Sequence, residues 1–368
     1  MNKVDSTSLQ GSGTRINYID AMRGFTMILV VFSHICTLVL DYDSFINLIF
    51  MRFRMPLFFF ISGFMVYSAK PYTSWIQRRF KNRLFNQFLP TFFTGFLFLL
   101  FTSTDIRTAL FDSSKSGYWF TIVLFEMFIV YLLCAVLTDH LPKTKRLATY
   151  LSAILLSGIF LIIVLKTQLI NPDLINLLSL DRVAIYIVYF FIGIICKMYL
   201  DTFLKAIQNN YLNAFMLFFF VANCYFNTQN LILNYLTSLS GVYIIYRTFQ
   251  YNKQYFSNQN RVSRGLSFIG KNTLPVYFLH YFIIEGINIT NPSILHAISG
   301  SWLFELTFCL LLSLFVVILS LLLDQFIKGF KPIHILMFGP ELKKVVASRP
   351  AYSSPRTILS AHPNHCQG

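Results

Sequence analysis

The sequence predicts an all-α integral membrane protein of about ten transmembrane helices, with the N- and C-termini cytoplasmic. Three observations carry that reading. The 368 residues are 55% hydrophobic and only 12% charged, with a mean hydropathy of +0.60, whereas a soluble domain carries about 25% charged residues. Long apolar runs recur along the chain. Lys and Arg gather in alternate connections between those runs.

Ten spans are read in order: 19–40, 52–69, 84–103, 118–137, 148–165, 183–199, 211–226, 231–247, 267–289 and 302–323. Each is expected to be helical, because lipid offers no partner to a free backbone N–H or C=O. No alternating pattern of a β-barrel is present. The aromatic content of 17%, with 41 Phe, suits lipid-facing helices and aromatic interfaces. A polar tail through Asn17 precedes the first span and carries no cleavable signal pattern. Residues 18–338 form the transmembrane domain. The polar stretch 339–368, with Pro350, Pro355 and Pro363, reads as a tail without a fixed fold.

The basic residues test the topology. Arg52, Arg54, Arg107, Lys115, Lys166 and Arg182 fall on one side, and the remaining 24 of 30 on the other. The positive-inside rule makes the richer side cytoplasmic. The net charge of +15 is thereby assigned to loops at an anionic lipid surface, with no nucleic-acid partner. The six cysteines, Cys36, Cys134, Cys196, Cys224, Cys309 and Cys366, show no paired spacing. They read as small buried side chains, forming neither a metal site nor a disulfide framework. His362, His365 and Cys366 lie close together in the tail and read as solvated.

Candidate chemistry starts in the first span. Arg23 and His34 are eleven residues apart, which is three helical turns plus about 20°, so both lie on one face about 16 Å apart. An imidazole inside a bilayer is costly unless shielded, and marks a functional candidate. Its bland alternative is a packed histidine bonded to a neighbouring helix, and that of Arg23 is a cation reaching the headgroups. The loop KPYTSWIQRRFKNR holds Lys70, Arg78, Arg79, Lys81 and Arg83 without an acid. It reads either as ordinary anchoring to anionic lipid or as a phosphate site, since a guanidinium grips phosphate oxygens in a fork.

Arg52 and Arg54 open the second span, either reaching the headgroups or lining an inward polar cavity. Ser62 and Gly63 read as close helix packing. Tyr118 and Trp119 suit an interfacial belt. Glu126 lies deep in the fourth span and is expected to face protein, water or a cationic partner. His280 is a second intramembrane candidate, with a structural hydrogen bond as its alternative. Glu285, Glu305 and Asp324 are left without a role.

These motifs resemble the membrane-bound acyltransferase family 3. The resemblance rests on Arg23-x10-His34, on Arg54-Met-Pro-Leu-Phe-Phe-Phe-Ile-Ser-Gly63, on Gly117-Tyr-Trp-Phe120 and on Ile269-Gly-Lys-Asn-Thr-Leu-Pro-Val-Tyr-Phe-Leu-His280. It covers roughly residues 18–325. It implies transfer of an acyl group, commonly acetyl, from a cytoplasmic acyl-CoA such as acetyl-CoA. The implied acceptor is a hydroxyl of a surface or lipid-linked glycan, and the implied location is a bacterial inner membrane.

The resemblance makes Arg23 and His34 the catalytic pair, and Arg78, Arg79, Lys81 and Arg83 the donor-binding set. Trp119, Glu126, His280 and Arg54 are further candidates, and no metal or bound cofactor is implied. The family's Arg-x-x-Arg pattern is replaced here by Arg78-x-x-Lys81 and Arg79-x-x-x-Arg83. His34 fits either a general base for the attacking hydroxyl or an acyl carrier. Arg23 fits donor positioning, with a long pantetheine arm linking it to the histidine. The alternative function is a transporter or flippase whose polar path uses His34, Glu126 and His280, and a third is a catalytically silent scaffold.

Overall fold

The computed structural model describes residues 17–40, 44–68, 76–166, 171–226, 230–257, 260–287 and 301–340. The N-terminal tail, Lys70 and the group His362, His365 and Cys366 lie outside the described residues. Among the described residues the chain is helical, with no strand.

The helices in chain order begin with α1 (Asn17–His34), α2 (Phe45–Val66), α3 (Ile76–Arg83) and α4 (Leu89–Thr102). Next come α5 (Ile106–Phe111), α6 (Trp119–Leu137), α7 (Lys143–Lys166), α8 (Pro172–Leu177) and α9 (Leu180–Met198). Then come α10 (Leu200–Gln208), α11 (Asn210–Phe226), α12 (Leu231–Tyr251) and α13 (Lys253–Ser257). The last four are α14 (Arg261–Lys271), α15 (Thr273–Glu285), α16 (Trp302–Lys328) and α17 (Lys331–Phe338). Two π-helical turns, Ile35–Val39 and Leu84–Phe88, continue α1 and join α3 to α4.

Among the described residues, six helical stretches are long and apolar enough to cross a membrane: Asn17–Val39, Phe45–Val66, Ile76–Thr102, Trp119–Leu137, Lys143–Ile163 and Trp302–Lys328. A seventh is the pair α9 and α10, bent by 97°. Three expected spans differ for local reasons. The helix α11 is apolar but only 17 residues long. In α12 the apolar run is diluted by Thr237, Ser238 and Ser240, which are buried inside the bundle. The expected span 267–289 is broken at Asn272 into α14 and α15. Asn272 leaves helical geometry at ψ 30°, and Pro275 sits in the first turn beyond, where its missing N–H costs no helical bond.

The bundle is organised around α1, nearly all of whose residues are buried. Two helix pairs touch backbone to backbone through glycine. A Cβ on Gly270 would meet the Asp20 carbonyl carbon at 2.7 Å, and one on Gly24 would meet that of Leu266 at 2.9 Å, so α1 and α14 are in direct contact. Gly63 and Gly193 do the same for α2 and α9, against the backbones of Phe190 and Phe60–Phe64. Without a hydrophobic drive between helices in lipid, such close approach is what supplies packing energy. Outside this centre, α7, α11 and α16 expose apolar side chains such as Leu155, Phe218 and Leu322, as a lipid-facing surface must.

Candidate functional site

The two ends of α1 build two different environments. Near its start, Arg23 Nη2 donates to Thr273 Oγ1 at 2.8 Å, and Nη1 lies 4.0 Å from Asp20 Oδ1. Thr273 is the first residue of α15, so the break at Asn272 is what presents this hydroxyl to Arg23. Arg23 lines a cavity of about 240 Å³ together with Arg83, Asn86, Gln87, Thr273 and Tyr277. A second cavity of about 430 Å³ shares Met65, Arg83, Asn86 and Gln87, and adds Arg79 and Asn82. The two form one trough, and among the described residues no acidic side chain lines it.

The basic helix α3 sorts its cations by face. Arg79 and Arg83 are one turn apart and share a face. Arg79 Nη1 donates to the Val66 carbonyl at 2.8 Å. Arg83 Nη1 donates to Gln87 Oε1 at 2.7 Å, and its guanidinium lies 5.2 Å from the centre of the Phe128 ring. Arg83 is within electrostatic reach of both Arg23 and Arg79. Arg78 and Lys81 are exposed and line neither cavity. The expected donor-binding set therefore divides: two of its four members face the trough with Arg23, and two face away. Three converging guanidiniums suit a ligand with several phosphate groups.

His34 is the last α-helical residue of α1, directly before the π-helical turn Ile35–Val39. The extra residue of a π turn rotates the next residues out of register, a device common at functional sites. His34 Nε2 lies 3.0 Å from Tyr281 Oη in a hydrogen bond, with ring centres 4.9 Å apart. The His280 ring lies 5.4 Å from that of His34. His280 Nδ1 is 3.0 Å from the Val276 carbonyl, and a carbonyl only accepts, so Nδ1 carries the proton there. Its Nε2 is buried and has no hydrogen-bond partner among the described residues.

Arg54 turns inward. Its Nη1 donates to the Val30 carbonyl of α1 at 3.3 Å, and its charge acts on both His34 and Tyr281. Beyond His34, buried Glu305 lies within electrostatic reach of Cys36, whose sulfur is 3.6 Å from that of Cys309. The floor of the trough at Val30 and Tyr277 is one helical turn, about 6 Å, from His34 and Tyr281 respectively. His34 and Tyr281 thus each lie one turn beyond a residue that lines the trough, without lining it themselves.

Tyr118 and Trp119, expected at an interfacial belt, both pack into the protein. Tyr118 is buried and its hydroxyl donates to the Phe278 carbonyl at 2.9 Å. Trp119 is half-buried and stacks on Tyr186, with centres 5.6 Å apart and planes at 22°. The preceding Gly117, at φ +94°, lies so close to Tyr281 that a Cβ would sit 2.5 Å from Tyr281 Oη. Glu126 has Lys115 as its electrostatic partner, while its Oε2 is buried without a hydrogen bond among the described residues.

The structure thus brings together His34, His280 and Arg54 at one end of α1, and Arg23, Arg79 and Arg83 at the other. Sequence reading missed Tyr281, Thr273, Gln87 and Arg182. Tyr281 comes directly after His280 in the quoted motif, and only the packing of α15 on α1 makes it the one that bonds His34. A family model described as an acyltransferase domain, that of acyltransferase family 3, matches residues 16–324. No curated protein and no solved structure matches.

Proposed function

The chain belongs to acyltransferase family 3, and we propose that it moves an acetyl group from cytoplasmic acetyl-CoA to a hydroxyl of a surface or lipid-linked glycan. The observation that carries this is the two-ended site on α1: three guanidiniums around a trough at Arg23, and His34 bonded to Tyr281 beneath its floor. In this reading the protein is a multi-pass protein of a bacterial inner membrane, with about ten spans and both termini cytoplasmic, which puts the basic trough on the side where acyl-CoA is made.

Arg23, Arg79 and Arg83 hold the donor's phosphates, and Gln87, bonded to Arg83, keeps that side chain aimed. The pantetheine arm runs along the trough past Met27, Phe58 and Phe120 towards His34. The acceptor oxygen attacks the thioester carbonyl as His34 takes its proton. The new C–O bond forms, the C–S bond breaks, and the proton passes from His34 to the departing thiolate. Arg54, the guanidinium nearest this point, stabilises the oxyanion. Tyr281 fixes the orientation of the His34 ring through the bond at Nε2 and yields that nitrogen to the acceptor.

Labelled acetyl-CoA supplied to membranes tests the proposal. His34→Ala is expected to abolish acetyl transfer to glycan while the protein still accumulates. Wild-type transfer by that variant would overturn it, and glycan movement without any acetylated product would favour a transporter.

A further inference from the structure

A groove of about 710 Å³ opens where the first residue of α1, Asn17, meets α14. It shares no residue with the donor trough, and acyl transfer as proposed above does not use it. Arg261, Arg264 and Lys271 line it, and no acid does among the described residues. None of the three cations stands in an ion pair among the described residues.

The helix α14 has two faces. Ser263, Ser267 and Gly270 are buried; Gly270 meets α1 at Asp20, and Ser267 Oγ donates to the Asn17 carbonyl at 3.4 Å. Arg261, Val262, Arg264, Gly265, Phe268 and Lys271 are exposed. Gly265 has no packing role within the protein, because a Cβ there would meet nothing within 4 Å. Glycine weakens a helix interior. Here it leaves the backbone bare between Arg261, Arg264 and Phe268, as close approach of a ligand requires. The groove is also held in shape from behind. Ser263 Oγ donates to the Phe256 carbonyl at 2.7 Å and Asn260 Nδ2 to that of Tyr255 at 3.1 Å, which fastens α14 to α13. Phe256 stacks in turn on Phe249 of α12, with centres 4.6 Å apart and planes at 22°.

We propose that this groove seats the headgroup of one anionic phospholipid from the leaflet at the Arg23 end of α1, the cytoplasmic leaflet in the topology proposed above. Two guanidiniums and an ammonium grip its phosphate oxygens. Val262 and Phe268 favour a lipid over a soluble phosphate. They are 59% and 49% exposed, and with Gly265 they follow one stripe of α14 at steps of three, beside the cations. A soluble anion leaves both in water. A phospholipid lays its glycerol and upper acyl chains over them, the arrangement of a basic helix at a membrane surface. General attraction of basic loops to an anionic leaflet depends on total charge, whereas a seat depends on these three side chains.

Native mass spectrometry of the full chain in a neutral detergent, with added phosphatidylglycerol or phosphatidylcholine, counts the lipids held per chain. The first phosphatidylglycerol is expected to bind more tightly than phosphatidylcholine by at least about tenfold, since one cation near an anionic headgroup is worth about fivefold. Combined Arg261→Gln, Arg264→Gln and Lys271→Gln should abolish that preference. Each substitution alone should reduce it about fivefold, so the single variants carry the test if the triple fails to accumulate. Combined Lys143→Gln, Lys145→Gln and Lys205→Gln removes the same charge from exposed positions elsewhere and should leave the preference intact. Equal losses in the two triples, or no preference in the natural chain, overturn the seat. Inorganic phosphate in large excess should not displace the lipid; displacement would identify a soluble-anion site and overturn the assignment to a phospholipid.

Discussion

Gly117→Ala reaches His34, the base of the proposed reaction, through a single intermediate residue. Gly117 sits at φ +94°, where an L side chain costs about 1–2 kcal/mol. Its new Cβ would lie 2.5 Å from Tyr281 Oη and nearer still to the ring. The nearest clash is with the Tyr281 Cζ at 2.2 Å, against an ordinary carbon–carbon contact of about 3.5 Å, so Tyr281 must retreat by about 1.3 Å. The Tyr281–His34 hydrogen bond is 3.0 Å long, and a retreat of that size breaks it. Losing a hydrogen bond to a group that becomes charged during the reaction is worth about 2 kcal/mol, or about 30-fold in kcat. The loop also rests on Tyr277, whose hydroxyl donates to the Gly117 carbonyl at 3.0 Å, so stability falls as well, by about 2–4 kcal/mol with the overpacking included. The assay is acetyl transfer by purified enzyme at saturating donor, with thermal unfolding alongside. Because both act through one bond, Gly117→Ala and Tyr281→Phe should be strongly non-additive in kcat. Wild-type kcat in Gly117→Ala, or additive losses in the double variant, would refute this coupling.

Two further outcomes concern the donor end. Gly270→Ala drives a methyl into the Asp20 carbonyl and separates α14 from α1; the loss exceeds the roughly 1 kcal/mol gained in helix propensity. It should lower the unfolding temperature and raise the acetyl-CoA KM as Arg23 loses Thr273, whereas unchanged values for both would mean that the helix pair does not position Arg23. On α3, Arg79→Ala and Arg83→Ala should each raise the acetyl-CoA KM about tenfold, the scale of one charged hydrogen bond, with Arg78→Ala and Lys81→Ala staying within about twofold. Equal effects at all four would show that the loop acts by its net charge alone.

Reading the chain in one dimension succeeded where a single helix holds the answer. The spacing of Arg23 and His34 places them on one face of α1, and the structure keeps both on an unbroken α-helix. It fell short where a neighbouring element decides. Arg54 was ambiguous because its partner, the Val30 carbonyl, is on another helix. Trp119 suited an interfacial belt because an aromatic at a helix start does so by default, and its stacking on Tyr186 is set by a helix far along the chain. The span 267–289 read as continuous because its composition stays apolar across Asn272, and only the packing of Gly270 on α1 shows why a break there is useful.

Composition and apolar runs by themselves determined a helical membrane protein, because burial in lipid sets both, while the four motifs pointed to acyl transfer only through their resemblance to a family that the chain matches. Tertiary structure alone decided which cations meet at the trough, that Tyr281 is the residue bonded to His34, and that Arg182 lies over the Trp119 ring. Each of those facts depends on contacts between helices far apart in sequence, whose rotation is set by glycine-mediated packing and loop geometry that no local pattern encodes.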